Sequence, residues 1–215
     1  MRAITKGSEP TSLTTHRLGA HCDYGNYADK DALRAALVRD QRGLCCYCMG
    51  KIDENSAKMK IEHWQCQNAT QRDLAYWNLL GACLGGEGQP KERQHCDTRK
   101  GEQDLKFNPA NPSHNIEQRI HFALDGSIGS SDNDFDKQLN EVLNLNLPLL
   151  KNRRKGVVDG LATWLRSYRN AHHKGPDNAM LQRKRSQWAP ANGAFHSYAR
   201  VAIWWIDQRL TRNAQ

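Results

Sequence analysis

No run of about 18 apolar residues occurs in the chain, so no segment reads as a membrane-spanning helix. The first ten residues, MRAITKGSEP, lack the apolar stretch of a secretory signal. A soluble, cytoplasmic protein is the expectation. Internal repeats and low-complexity tracts are missing as well, which leaves ordinary globular segments. Acidic residues are scarce in the last third. Residues 148–215 hold 13 Lys and Arg against 3 Asp and Glu, whereas residues 1–147 hold 18 against 20. The seven cysteines are an odd number in a chain without an export signal, which argues against a disulfide framework and for reduced thiols in a metal site or core.

At 215 residues the chain can bury about 70% of the surface it exposes when unfolded. Three segments are expected: an N-terminal arm and helix over 1–42, a compact core over 43–107, and a hairpin followed by a basic helical region over 108–215. Gly, Pro and Ser/Thr punctuate residues 1–28 without periodicity, which predicts an extended arm. DKDALRAALVRDQRG reads as a helix capped by Asp29 or Asp31, with Leu33, Ala36 and Leu37 as its apolar stripe and Gly43 just past its end.

LCCYCMGKI is a tight turn between strand-like pieces, and KMKIEHW is a strand candidate. LGGEGQPKERQH reads as an exposed loop, CDTRKGEQDL as a short helix, and NPANPSHN as a linker. Asp125-Gly126 predicts a hairpin turn. Helices are predicted over about 134–145, 148–170, 177–189 and 194–212. Val157, Leu161, Trp164, Leu165 and Tyr168 recur at helical spacing, as do Tyr198, Val201, Ala202 and Trp205, and both stripes read as core. The fold class is α+β.

Cys45 and Cys48 form a C-x-x-C on a turn, a spacing that lets two thiolates grip one zinc ion. A thioredoxin-like redox pair would expect no later cysteine pair. Cys83 and Cys96 do come later and can complete four ligands, although twelve residues separate them. Cys66 or His95 can replace one ligand, while Cys22 and Cys46 read as packing thiols. A zinc staple alone has no use for Glu62, His63, Asn78 and Asp97. Carboxylates at Glu62 and Asp97 suit a second, hard cation, Mg²⁺ or Mn²⁺. A neutral His63 can take a proton from water while such a cation steadies charge on a leaving phosphate oxygen. Strand alternation, however, aims Glu62 and His63 to opposite faces.

In order, CCYC, KIEHW, NLLGAC and CDTRKG resemble the HNH, or ββα-metal, endonucleases over about residues 43–102. The resemblance implies a zinc-stapled ββα core in which Cys45, Cys48, Cys83 and Cys96 bind zinc. Glu62 and Asp97 would ligate the catalytic cation, His63 would act as general base, and Asn78 would buttress the loop. Lys100 matches the family's closing Lys and, with Arg99, would contact phosphate. Glu62 stands where Asp or His is commoner, and Asp97 where Asn or His is usual; both remain oxygen ligands.

The flanking MRAITKGSEPTSLTTHR and LNLNLPLLKNRR are similar to the PtuB-type HNH subunits of Septu and some retron anti-phage systems. That similarity implies nucleic acid as target and an ABC/SMC-like ATPase of the PtuA type as partner. In retron versions a reverse transcriptase and its multicopy single-stranded DNA (msDNA) join them. The basic block KNRRK and RKRSQW suits phosphate contact or, alternatively, a solvated helix face. A non-catalytic zinc-stapled adaptor is the competing reading. His172-His173, at a helix end, reads as solvent-facing.

Overall fold

The computed structural model describes residues 1–66 and 72–213. The arm is not wholly extended: it contains α1 (Thr11–Arg17), which follows Pro10 and buries Leu13. Leu13 is the only apolar side chain of that helix, so no periodicity betrays it in the sequence. α2 (Lys30–Gln41) is capped by Asp29, whose carboxylate accepts from the Ala32 N–H at 3.2 Å. Leu33, Ala36 and Leu37 are its buried stripe. The helix closes through Arg42 in the left-handed region, with Gly43 N–H donating to the Val38 carbonyl at 2.9 Å.

The chain then doubles back in a tight turn in which Leu44 bridges Lys51 and Cys45 N–H donates to Gly50 O at 2.8 Å. β1 (Met59–His63) and β2 (Leu79–Cys83) pair antiparallel, with Met59 opposite Cys83 and His63 opposite Leu79. α3 (Cys96–Lys100) packs against β2. α2 covers the same strand. There the buried Gln41 amide donates to the Leu44 and Gly81 carbonyls, both at 2.7 Å, and accepts from Gly81 N–H.

The second half opens with α4 (Ile116–Arg119), followed by the expected hairpin of β3 (Ile120–Phe122) and β4 (Ile128–Ser130). Its turn presses onto a later helix. A Cβ at Gly126, where φ is +84°, would lie 2.2 Å from the Lys151 carbonyl, so only glycine fits. α5 (Asn133–Lys137) runs straight into a π-helical turn over Gln138–Val142. α6 (Pro148–His172), α7 (Asn178–Trp188) and α8 (Ala199–Asn213) complete the chain.

Leu161 and Trp205 are fully buried, and Trp164 and Leu165 pack partly buried against the core, as the stripes predict. One core cluster takes Met1 and Ile4 from the first segment, Met59 and Leu80 from the second, and Phe135, Leu161 and Trp205 from the third. The three segments therefore share a core. A second cluster joins Leu13, Tyr27, Leu33 and Leu37 to Tyr76 and Leu79, and so fixes the arm against the β1–β2 pair. The architecture is α+β. Among the described residues no helix is long and apolar enough to cross a membrane.

Candidate metal centre and adjoining cleft

The turn after α2 presents Cys45 and Cys48, the end of β2 presents Cys83, and the start of α3 presents Cys96. All four sulfur atoms lie within 4.8 Å of one another. Cys45 Sγ is 3.9 Å from Cys96 Sγ, and Cys48 Sγ is 3.8 Å from Cys83 Sγ. A tetrahedral zinc site with arms of about 2.3 Å has edges of about 3.8 Å, so the spacing and the soft donors both suit a structural metal such as zinc.

The twelve-residue separation is closed at its neck. His95 N–H donates to Gly85 O at 2.8 Å, which brings both ends of the loop together. Gly85 makes this approach possible, because a Cβ there would lie 2.1 Å from the His95 carbonyl. Cys96 N–H donates to Leu143 O at 2.9 Å and anchors the fourth ligand to the C-terminal segment. Of the two alternative ligands, Cys66 lies outside the cluster. His95 borders it, with Nδ1 3.2 Å from Cys96 Sγ and 3.9 Å from Cys83 Sγ.

Burial, and then the hydrogen bonds it shares with the other cysteines, push the Cys96 thiol far up. Burial acts on Cys45 in the same sense, yet hydrogen bonds from Cys46, Cys48, Cys83 and Cys96 outweigh it and hold this thiol well below its ordinary range. A divalent cation bound here would take the place of the thiol protons.

Beside the cysteines lies a cleft of about 290 Å³ whose walls include Tyr24, Glu62, His63, Cys66, Asp97 and Glu102. Glu62 and His63 both reach it in spite of strand alternation. His63 is the last residue of β1, and the cleft opens around that strand end, so side chains from both faces meet in it. Glu62 is only 3% exposed. It accepts from the Tyr47 hydroxyl at 2.5 Å and takes the Lys100 ammonium at 2.9 Å. Burial first, and then the adjacent Asp97, drive its pKa well above the usual carboxylate range. The Glu62 and Asp97 carboxyls line the same cleft, and carboxylate oxygens are the donor type that hard divalent cations take.

His63 is held by the Asp73 backbone carbonyl, 2.9 Å from Nε2. A carbonyl oxygen only accepts, so Nε2 carries the proton and Nδ1 is the basic nitrogen. Burial lowers the His63 pKa, opposed by the hydrogen bond to Asp73; the ring is therefore neutral at neutral pH. The Tyr24 ring meets it edge-on at 4.5 Å.

Asn78 is buried outside the cleft lining. Its Oδ1 accepts from Gln65 N–H at 2.8 Å, and its Nδ2 donates to the Gln65 and Arg72 carbonyls at 3.1 and 3.2 Å. It thus clasps the chain on either side of residues 67–71.

Phosphate contact by Lys100 does not fit its position. The side chain is 2% exposed, and its ammonium is bound to Glu62 and to the His63 carbonyl at 3.0 Å. Arg99 also lies outside the cleft and donates to the Lys91 and Glu141 carbonyls. Sequence reasoning missed Tyr47, Tyr24 and the Asp73 carbonyl. Tyr47 stands inside CCYC, where its place between two ligands was a usable signal; Tyr24 and Asp73 carried none, because tertiary contacts alone bring them in. No protein-family model matches this chain, and no curated protein matches it.

Proposed function

We propose that the chain is a metal-dependent endonuclease of the HNH (ββα-metal) type that hydrolyses phosphodiester bonds. The observation that carries this reading is the convergence of Glu62, His63 and Asp97 on one cleft beside the four-cysteine cluster. Glu62 and Asp97 would hold Mg²⁺ or Mn²⁺ through their carboxylate oxygens. Such a cation, when bound, stabilises negative charge developing on the leaving oxygen.

The chain's own groups do the rest. Nδ1 of neutral His63 accepts a proton from the attacking water, and the Asp73 carbonyl keeps the ring in the right tautomer and orientation. Tyr47 and Lys100 fix the Glu62 carboxylate from two sides. Asn78 is a positioning residue that ties down Gln65, close after His63, and Arg72, next to Asp73. Zinc on Cys45, Cys48, Cys83 and Cys96 would lock the end of β2 to the start of α3, and so set Asp97 against Glu62.

Its proposed setting is an anti-phage system of the Septu or retron kind, with a PtuA-type ATPase as partner; this rests on the flanking sequence similarity. His63→Ala is expected to abolish Mg²⁺- or Mn²⁺-dependent cutting of plasmid DNA or tRNA while zinc content and fold persist. The concentration of positive charge in residues 148–215 favours a second reading, a zinc-stapled adaptor that binds nucleic acid or the ATPase without cutting. A wild-type chain that never cuts, even with its ATPase present, would decide for the adaptor.

A further inference from the structure

The three acidic side chains of residues 148–215 are all engaged. Asp159 pairs with Lys155 at 2.6 Å, Asp207 with Arg185 at 2.7 Å, and Asp177 caps α7 by accepting from Met180 N–H at 2.8 Å. None of these carboxylates neutralises the arginines at the C-terminal ends of α6 and α8. There Arg169 from α6 and Arg209 and Arg212 from α8 line one cleft of about 340 Å³, together with Leu165, Pro176 and Leu181. No acidic side chain lines it.

Arg209 is held in place. Its guanidinium lies 3.0 Å from the Trp205 ring centroid, and Nη1 donates to the Trp205 carbonyl at 2.8 Å. Burial, followed by the charges of Arg212 and Arg169, pushes its pKa down to about 10. Three guanidinium groups gathered without a carboxylate repel one another, and an anion entering the cleft would relieve that repulsion.

The geometry points to a nucleotide-binding cleft: we infer that it seats one unit of single-stranded nucleic acid, the phosphate on Arg169, Arg209 and Arg212 and the base against Leu165 and Leu181. Guanidinium forks match phosphate oxygens in pairs. A cleft of this volume with an apolar floor admits a splayed base and excludes a stacked duplex. The cleft shares no residue with the one at His63, so it would hold a strand at a second point. The choice of nucleic acid over another anion rests on the nuclease reading above.

The test uses the full chain with His63→Ala, so that the probe is not consumed. Fluorescence anisotropy would follow a short fluorescein-labelled single-stranded oligonucleotide, as DNA and as RNA, across a salt series. Its duplex and a labelled poly-glutamate peptide would be titrated alongside. Arg169→Glu with Arg212→Glu changes two exposed side chains, and circular dichroism reports their fold.

Single-strand affinity should fall about tenfold or more, with the salt slope shallower by about 0.7, the value for loss of one phosphate contact on a single strand. Arg169→Gln with Arg212→Gln should fall between. Unchanged affinity and slope would overturn the inference, as would a duplex or poly-glutamate bound more tightly than the single strand. Failure of the nuclease reading appears separately, as a wild-type chain that binds but never cuts.

Discussion

Lys100 Nζ sits 2.9 Å from Glu62 Oε1, with both side chains withdrawn from solvent. A buried pair of this kind is costly to break from one side, because the surviving charge loses both water and partner. Lys100→Met should therefore destabilise the chain by about 3–5 kcal/mol in urea melts. The double variant with Glu62→Gln should cost less than the sum of the single changes, since no carboxylate is then stranded. Strict additivity would show that the two groups do not act as a pair.

The cysteine cluster predicts a sharp division among the seven thiols. Cys83→Ser and Cys96→Ser are expected to lose zinc in elemental analysis and to lower the melting temperature, because structural zinc contributes folding free energy directly. Cys22→Ser and Cys66→Ser should change neither, since both lie outside the cluster. Zinc retained by Cys96→Ser would move the fourth ligand to His95, whose Nδ1 is close enough to take its place.

Asn78→Asp tests positioning apart from chemistry. It removes the two Nδ2 donors that hold the Gln65 and Arg72 carbonyls and sets a carboxylate against them. The tie from Asn78 to Gln65 and Arg72, which flank His63 and Asp73, is lost, and a displacement of about 1 Å at the reacting groups lowers turnover by about a hundredfold. kcat of DNA or tRNA cutting should fall while KM and zinc content hold. An unchanged kcat would remove Asn78 from the positioning role.

Much of this was readable in the sequence wherever the signal is local. The α2 cap and stripe, the turn at Asp125-Gly126, and the extent of α6 follow from residue type and spacing, and the elements stand close to their expected ranges. The gathering of Cys83 with Cys96 was also legible, although its means, the Gly85 neck, was not. What escaped depends on long-range contact. Lys100 has the composition of a surface phosphate ligand, and the Glu62 carboxylate and the His63 carbonyl draw it inward. Strand alternation separates Glu62 from His63, and the open strand end reunites them. The arm reads as irregular because α1 has one apolar residue, yet Tyr24, downstream of it, supplies a wall of the cleft.

The arm also carries a pH-sensitive contact. Lys6 Nζ donates to the Leu79 carbonyl at 2.6 Å and lies 3.7 Å from the centroid of the Tyr76 ring. Burial pushes its pKa from an ordinary 10.5 down to about 7, with the Asp40 charge opposing. Below the lower value both folded and unfolded chains hold the proton, and the full cost of a buried ammonium weighs on the fold. Between the two values the unfolded chain binds more protons than the folded one, so this lysine makes stability rise with pH. The difference in unfolding free energy between the wild type and Lys6→Met, from urea melts between about pH 6 and about pH 9.5, should be flat at the acid end. It should climb in favour of the wild type from neutrality upward. A flat difference throughout would mean that Lys6 keeps its ordinary pKa, and the arm would then be held by Leu13 and Tyr27 packing on Leu79 rather than by a lysine that sheds its charge.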